Sequence, residues 1–254
     1  MINRILFVCT ALLFLATVEV AGQKFSIGPL AGVHAYKVAF HHDEEQSLFD
    51  STIKLGYRGG AYIEFPLENN FSWATEVSYA RKGRKITYDA ESITNDAAYN
   101  FFEISVLLRK KYDLTISKGV PGKFFFNVGP NINYWINGKG TLDAAVDLDY
   151  AVKFQESDGN IRVNAITDAN RWLFGLEAGA GLETRVYDTQ FFQFEFRFTY
   201  GQTYLGGRDS SEIPILAFQD SLRSNYRVIS FIVRYGIDID LRNAKKGKST
   251  IKHN

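Results

Sequence analysis

Disulfide chemistry is the first thing this chain does without: of 254 residues only one is cysteine, Cys9, and only one is methionine. A lone cysteine closes no disulfide and builds no cysteine-rich metal site. Proline is also scarce, at five residues. No apolar run reaches the ~20 residues that a membrane-spanning helix needs, so a helical membrane bundle is excluded. Net charge is only +1. That balance gives no ground for a nucleic-acid partner, and none is expected of a chain that carries an export signal.

What the chain has instead is aromatics and glycine, with 21 Phe, 14 Tyr and 21 Gly. Residues 1–22 read as a secretory signal peptide: Arg4, an apolar run over 5–18, then the small residues Ala21 and Gly22. Cys9 lies inside this leader, so the mature chain is exported without cysteine. Its stability must then come from a core or a closed hydrogen-bond network. The leader is neutral, and residues 242–254 carry Arg242, Lys245, Lys246, Lys248 and Lys252. Removing that +5 tail from +1 leaves −4 for residues 23–241. The tail shows no apolar periodicity and reads as a disordered basic segment.

From residue 24 onward apolar and polar residues alternate. Eight segments carry this period, over 24–38, 55–66, 71–85, 99–114, 123–137, 171–187, 191–204 and 227–241. Successive strand side chains point to opposite faces. Most segments reach the ~9–11 residues of a tilted membrane strand. Connections 67–70, 115–122 and 188–190 are short, whereas 39–54, 86–98, 138–170 and 205–226 are longer and polar. Short turns at one end and long loops at the other are the layout of an outer-membrane barrel.

One stretch shows the two faces plainly. Phe192, Phe194, Phe196, Phe198 and Tyr200 alternate with Gln193, Glu195, Arg197 and Thr199. The other segments repeat the arrangement. Their polar faces hold Gly, Ser and Asn with few charges: Gly56, Gly60, Ser78, Ser105, Asn127, Asn131, Gly179 and Glu183 among them. Small residues and balanced charge suit the narrow lumen of an eight-stranded barrel better than a solvated face. A lumen charge network is expected from Arg58, Glu64, Glu76, Glu103, Arg109, Glu177, Glu195, Arg197 and Arg234. On the apolar faces, Tyr57, Trp73, Tyr79, Tyr134, Trp172, Tyr200 and Tyr235 sit near strand ends, the headgroup level that Trp and Tyr favour.

Catalytic and cofactor chemistry finds little support. The histidines are His34, His41, His42 and His253. Neighbouring side chains on extended backbone diverge, so His41 and His42 beside Asp43, Glu44 and Glu45 do not make a metal site. Asp143, Asp147 and Asp149 lack the glycine and terminal glutamate of a calcium loop. Gly175, Gly179 and Gly181 follow a strand period and open no helix, which rejects a phosphate loop. His34 is read as a lumenal hydrogen-bonding residue, with a lipid hydrolase the last of the alternatives. No catalytic residue, metal ligand or cofactor site is assigned.

The segment YNFFEISVLLRKKYDL, from Tyr99 to Leu114, resembles a strand of the PorT-family outer-membrane β-barrel proteins of Bacteroidetes, with Ser105 where that family usually has proline. KFSIGPLAGVHAY, GYRGGAYIEFPL, FFFNVGPNINYWINGK and FGLEAGAGLE are similar to it as well. The resemblance covers essentially the whole mature chain and implies a small outer-membrane barrel. The family's namesake works in a protein-secretion and gliding apparatus, and no residue here singles out that role.

The combined reading is an all-β, eight-stranded antiparallel transmembrane β-barrel in the outer membrane, over residues 23–241, with short periplasmic turns and long extracellular loops. Its lumen is plugged, it is not an enzyme, and it contacts outer-membrane lipid. The loops serve a structural or surface-interaction role, with 138–170 as the contact for a protein or glycan partner. Two alternatives stand beside it: a narrow channel or transporter for a small solute, and a soluble lipocalin-like carrier with the faces reversed.

Overall fold

In the computed structural model the described residues are 24–40, 49–88, 93–117, 120–143, 148–152, 171–201, 203 and 224–241. The signal peptide, the basic tail, His41, His42, Asp147 and His253 lie outside them. Ten strands are present among the described residues: β1 (Lys24–Phe40), β2 (Phe49–Ser51), β3 (Lys54–Pro66), β4 (Phe71–Tyr88), β5 (Ile93–Ser117), β6 (Val120–Asp143), β7 (Leu148–Val152), β8 (Trp172–Tyr187), β9 (Gln190–Gly201) and β10 (Ser224–Asp240).

Eight of them close a ring. Antiparallel pairing runs β1–β3–β4–β5–β6–β8–β9–β10 and returns to β1 through a ladder from Lys24 opposite Asp240 to Phe40 opposite Ser224. Closure leaves no ring strand with an unpaired edge, which backbone N–H and C=O groups in lipid require. The short β2 and β7 only extend the wall, pairing with the ends of β4 and β6. The start of β1, the end of β10 and the β3–β4, β5–β6 and β8–β9 turns meet at one end of the ring. The longer connections leave from the other, here called the loop end.

Several connections are tighter than the sequence implies. β4 and β5 run on to Tyr88 and from Ile93, so most of 86–98 is strand. β6 continues to Asp143 and β7 folds back on it, which takes up part of 138–170. In these extensions Arg84, Ile86, Asn95 and Ala97 are still turned into the ring, but polar residues stand at inward and outward positions alike, so the sequence there loses its apolar–polar alternation. Thr87 and Thr94, opposite each other in this extension, bring their hydroxyl oxygens to 3.2 Å. At the turn end the β3–β4 connection, residues 67–70, closes in a tight turn in which the Phe71 N–H donates to the Glu68 carbonyl at 3.1 Å. The central Asn69 and Asn70 both take positive φ, at 57° and 62°. That is the type I′ geometry favoured between twisted strands, and asparagine tolerates it best after glycine.

Along the middle of the ring strands one apolar set is turned outward. Phe194, Phe196 and Phe198 face away from the ring while Gln193, Glu195 and Arg197 are buried inside it. Phe126, Val128, Phe174, Leu176, Ile229 and Phe231 are exposed on the outer wall in the same way. A soluble carrier with reversed faces would carry these groups inside, so the outward apolar wall removes the lipocalin-like alternative.

This orientation fixes the sign of two substitutions. Phe196→Arg, at a site 66% exposed in the middle of the apolar wall, should lower stability by about 2–4 kcal/mol in lipid vesicles. Phe196→Leu should change little. Urea unfolding followed by loss of the heat-modifiable gel band measures both.

Candidate functional site

The ring interior holds two stacked layers, and strand alternation places each residue in them. The lower and central layer is ionic. Glu76, on β4, lies at its centre with its side chain fully buried. Arg197 of β9 grips it with two bonds, Nη1 to Oε2 at 2.8 Å and Nη2 to Oε1 at 3.0 Å. Arg234 of β10 donates to Oε1 at 2.5 Å and Arg109 of β5 at 3.1 Å. Glu195 takes the remaining faces of these cations, with Arg197 Nε at 2.5 Å and Arg234 Nη1 at 2.7 Å.

Contacts run from this centre toward both ends. Toward the turn end, Arg109 donates to Glu64 at 2.7 Å and to the amide oxygen of Gln193 at 3.1 Å. Lys111 then bridges Glu64 at 2.6 Å and Glu183 at 2.8 Å. Toward the loop end, Arg197 and Thr199 donate to Glu177 at 3.0 and 3.1 Å. Arg58 lies 3.7 Å from Glu177 and 3.4 Å from Glu103. Lys82 completes the chain, paired with Glu103 and donating to Asn133 Oδ1 at 3.0 Å.

All nine residues singled out from the sequence lie inside the ring and in one connected set of contacts. Three charged members are additional: Lys82, Lys111 and Glu183. They settle the charge. The nine alone leave one excess negative charge; with two lysines and one glutamate added, six carboxylates face six cations. Glu183 was visible on the polar face of its segment, and strand parity would have placed Lys82 and Lys111 inside as well. Gln193 was also visible there, and its amide bridges Glu64 at 3.3 Å and Glu183 at 3.0 Å.

Glycine makes room for the network. A Cβ on Gly179 would come within 2.6 Å of Glu195 Oε1, and one on Gly236 within 2.3 Å of both the Phe191 ring and the Tyr62 hydroxyl. His34 is buried, and its Nε2 lies 3.0 Å from the backbone carbonyl of Arg81, to which an N–H there would donate.

The second layer, at the loop end, is apolar and has no counterpart in the sequence reading. Tyr36, Val38, Ala97, Tyr99, Phe101, Trp135, Leu173, Tyr226 and Val228 form one buried cluster. The Tyr99 and Trp135 rings are tilted 55° to each other with centroids 4.5 Å apart, and the Phe101 and Tyr226 rings meet edge-on at 6.0 Å. Lys82 joins the layers, its ammonium 5.5 Å from the Phe101 ring centre and 5.9 Å from that of Tyr226. Beside this junction is a cavity of about 20 Å³ reached by Asn131, Asn133, Thr199 and Lys82, room for a single water. A cleft of about 310 Å³ opens at the turn end between Asp113, Lys123, Glu183 and Arg185. No cluster of His, Cys, Asp and Glu able to hold a metal is present among the described residues. Asp143 and Asp149 lie on β6 and β7, outside the ring interior.

Removing one partner from a buried, multiply paired carboxylate leaves cations without a counter-charge. Glu76→Gln is therefore expected to cost about 3–5 kcal/mol. Thr75→Val, one residue away on the outward face, should be close to neutral. Equilibrium unfolding of the refolded barrel in detergent checks the contrast.

No curated protein sequence matches the chain. Among solved structures, OprG from Pseudomonas aeruginosa is 10% identical with a TM-score of 0.48, over 85% of this chain and 95% of that one. Neisserial surface protein A (NspA) is 11% identical with a TM-score of 0.39, over 86% and 97%. Ail of Yersinia pestis, in complex with the heparin analogue sucrose octasulfate, is 10% identical with a TM-score of 0.36, over 84% and 98%. The sequence profile described as outer membrane protein beta-barrel domain matches residues 21–203. With that match over most of its length, this chain belongs to the outer membrane protein beta-barrel domain family.

Proposed function

We propose that the protein is a plugged, non-enzymatic outer-membrane scaffold that acts by surface interaction at its loop end. The observation that carries this reading is the filled interior. A neutral, mutually paired ion lattice occupies its centre, and the Tyr36–Tyr99–Phe101–Trp135–Tyr226 cluster lies across it at the loop end. A solute moving through would have to separate Glu76 from three guanidinium groups held within 3.1 Å. That separation is costly in a low-dielectric interior. The nine charged residues read from the sequence act here as the plug. The strand motif over residues 99–114 further supports a place among the PorT-type barrels.

Recognition then falls to the loops, which a rigid barrel holds at the cell surface. The segment 138–170 is the leading contact for a protein or glycan, because it is the longest connection and starts from the paired β6–β7 extension. The competing reading is a narrow channel, favoured only by the polar character of the lumen.

Reconstitution in planar bilayers separates the two. The scaffold reading expects no unitary current steps from the wild type, and none from Glu103→Gln. Steps whose size changes on Glu103→Gln or Arg197→Gln would establish the channel instead. Surface exposure is checked separately: protease added to intact cells should cut within 138–170 and leave the ring strands protected.

A further inference from the structure

Every cation of the interior lattice meets a carboxylate, whereas on the outer wall Lys37 and Arg227 meet none among the described residues. Lys37 of β1 and Arg227 of β10 are directly opposite each other across the seam that closes the ring. Both are exposed and point away from the lumen. Side chains directly opposite on antiparallel strands are ~4.5–5.5 Å apart at Cβ, and like charges placed so repel. Neither has a carboxylate partner among the described residues. Among the described residues the neighbouring outward positions include Ala35, Ala39, Leu55, Tyr200, Asn225 and Ile229, none of them acidic.

Their height on the barrel is informative. Toward the turn end the same seam is apolar, through Ala35 opposite Ile229 and Val33 opposite Phe231. Val33 and Ile229 are about 60% exposed. Tyr200, which pairs with Arg227, is exposed at the same level, where tyrosine marks the headgroup region. The two cations therefore cap a lipid-facing track at the edge nearest the long loops, which in an outer-membrane barrel is the outer leaflet.

We infer that Lys37 and Arg227 form a headgroup site for a phosphate-bearing lipid of the outer leaflet, whose acyl chains lie along the β1–β10 seam. A phosphate between the two side chains turns their repulsion into two charge-assisted contacts. Arg227 supplies a planar fork that can bind bidentately, and Lys37 a compact point charge. The apolar track selects a lipid over a free anion, because it holds chains beneath the phosphate. The site is on the outer wall and is independent of whether the lumen is plugged.

Native mass spectrometry of the full mature chain in detergent, titrated with bisphosphorylated lipid A, tests the site. The wild type should take up one lipid A in preference to its fully dephosphorylated form. The double variant Lys37→Gln with Arg227→Gln should bind about tenfold or more weakly. The charge-retaining pair Lys37→Arg with Arg227→Lys should stay within a few-fold of wild type. Heat-modifiable gel migration of all variants confirms that the barrel is folded. Equal binding by the glutamine variant, or equal uptake of dephosphorylated lipid A, would overturn the proposal. Competition by inorganic phosphate at the concentration of the lipid would overturn it too, by marking a free-anion site. A channel found in bilayer recordings would leave these outcomes unchanged.

Discussion

Glu76 and the guanidinium groups around it set the terms for the rest of the barrel. Its carboxylate is shared by Arg109, Arg197 and Arg234, with Arg58 at 3.9 Å. These cations stand on β5, β9, β10 and β3, so one side chain ties together five of the eight ring strands. Burying such ions is not in itself a source of stability, since well-packed apolar residues often do as well. What the lattice adds is register. A one-residue slip of any of these strands would turn an arginine or glutamate into lipid and an aromatic into the lumen. Both errors are expensive, and the ladder that satisfies the lattice avoids them all at once.

The outer wall and the interior are thus two halves of one constraint. Alternation delivers an apolar outside only if something polar can live inside, and a narrow lumen admits polar side chains only if they neutralise one another. Glycine mediates between the two demands. At Gly179 the missing side chain is the space that Glu195 and Asn127 occupy, and at Gly236 it is the space of Phe191 and Tyr62. The same economy explains why glycine gathers on the inward face of β8, where Gly175, Gly179 and Gly181 alternate with the lipid-facing Phe174, Ala178 and Leu182.

Much of this was legible in the sequence because a period of two is a direct record of two solvents. From 55–66 through 227–241, residues such as Arg58, Glu64, Glu177 and Arg234 fell on the polar face by parity alone. The boundaries were less legible. Thr87, Thr94 and Asp96 belong to paired strands whose outward face is no longer apolar, so the sequence alternation fades although Ile86, Asn95 and Ala97 beside them are still buried. The aromatic layer was hidden for a different reason. Tyr99, Phe101 and Trp135 are apolar residues on the inward face, and a rule that sends apolar residues to lipid cannot see them. A bulge at Trp135–Asn137, where Phe101 pairs with Trp135 but Asn100 with Asn137, also shifts the parity of β6 at that level. The signal available was the inward parity of Tyr99 and Phe101, shared with Glu103 and Ser105 two and four residues along.

The placement of arginine and lysine follows from position within the lattice. Arg109, Arg197 and Arg234 are in its middle, with side chains fully shielded, where each cation must serve two or three carboxylates in fixed directions. Only a planar fork of several donors does that. Lys111 and Lys82 terminate the lattice toward the turn end and the loop end, their side chains 15% and 7% exposed. There a single compact charge is enough: Lys111 spans Glu64 and Glu183, and Lys82 meets Glu103 below an aromatic roof. Scarcity of lysine on the polar faces therefore reflects a shielded centre with many shared contacts, and its appearance at 82 and 111 marks where that centre ends. Lys37 lies beyond it on the outer wall, where no lattice exists to neutralise it. Among the described residues no carboxylate meets it there, and the lipid headgroup inferred above would supply a charge of the opposite sign.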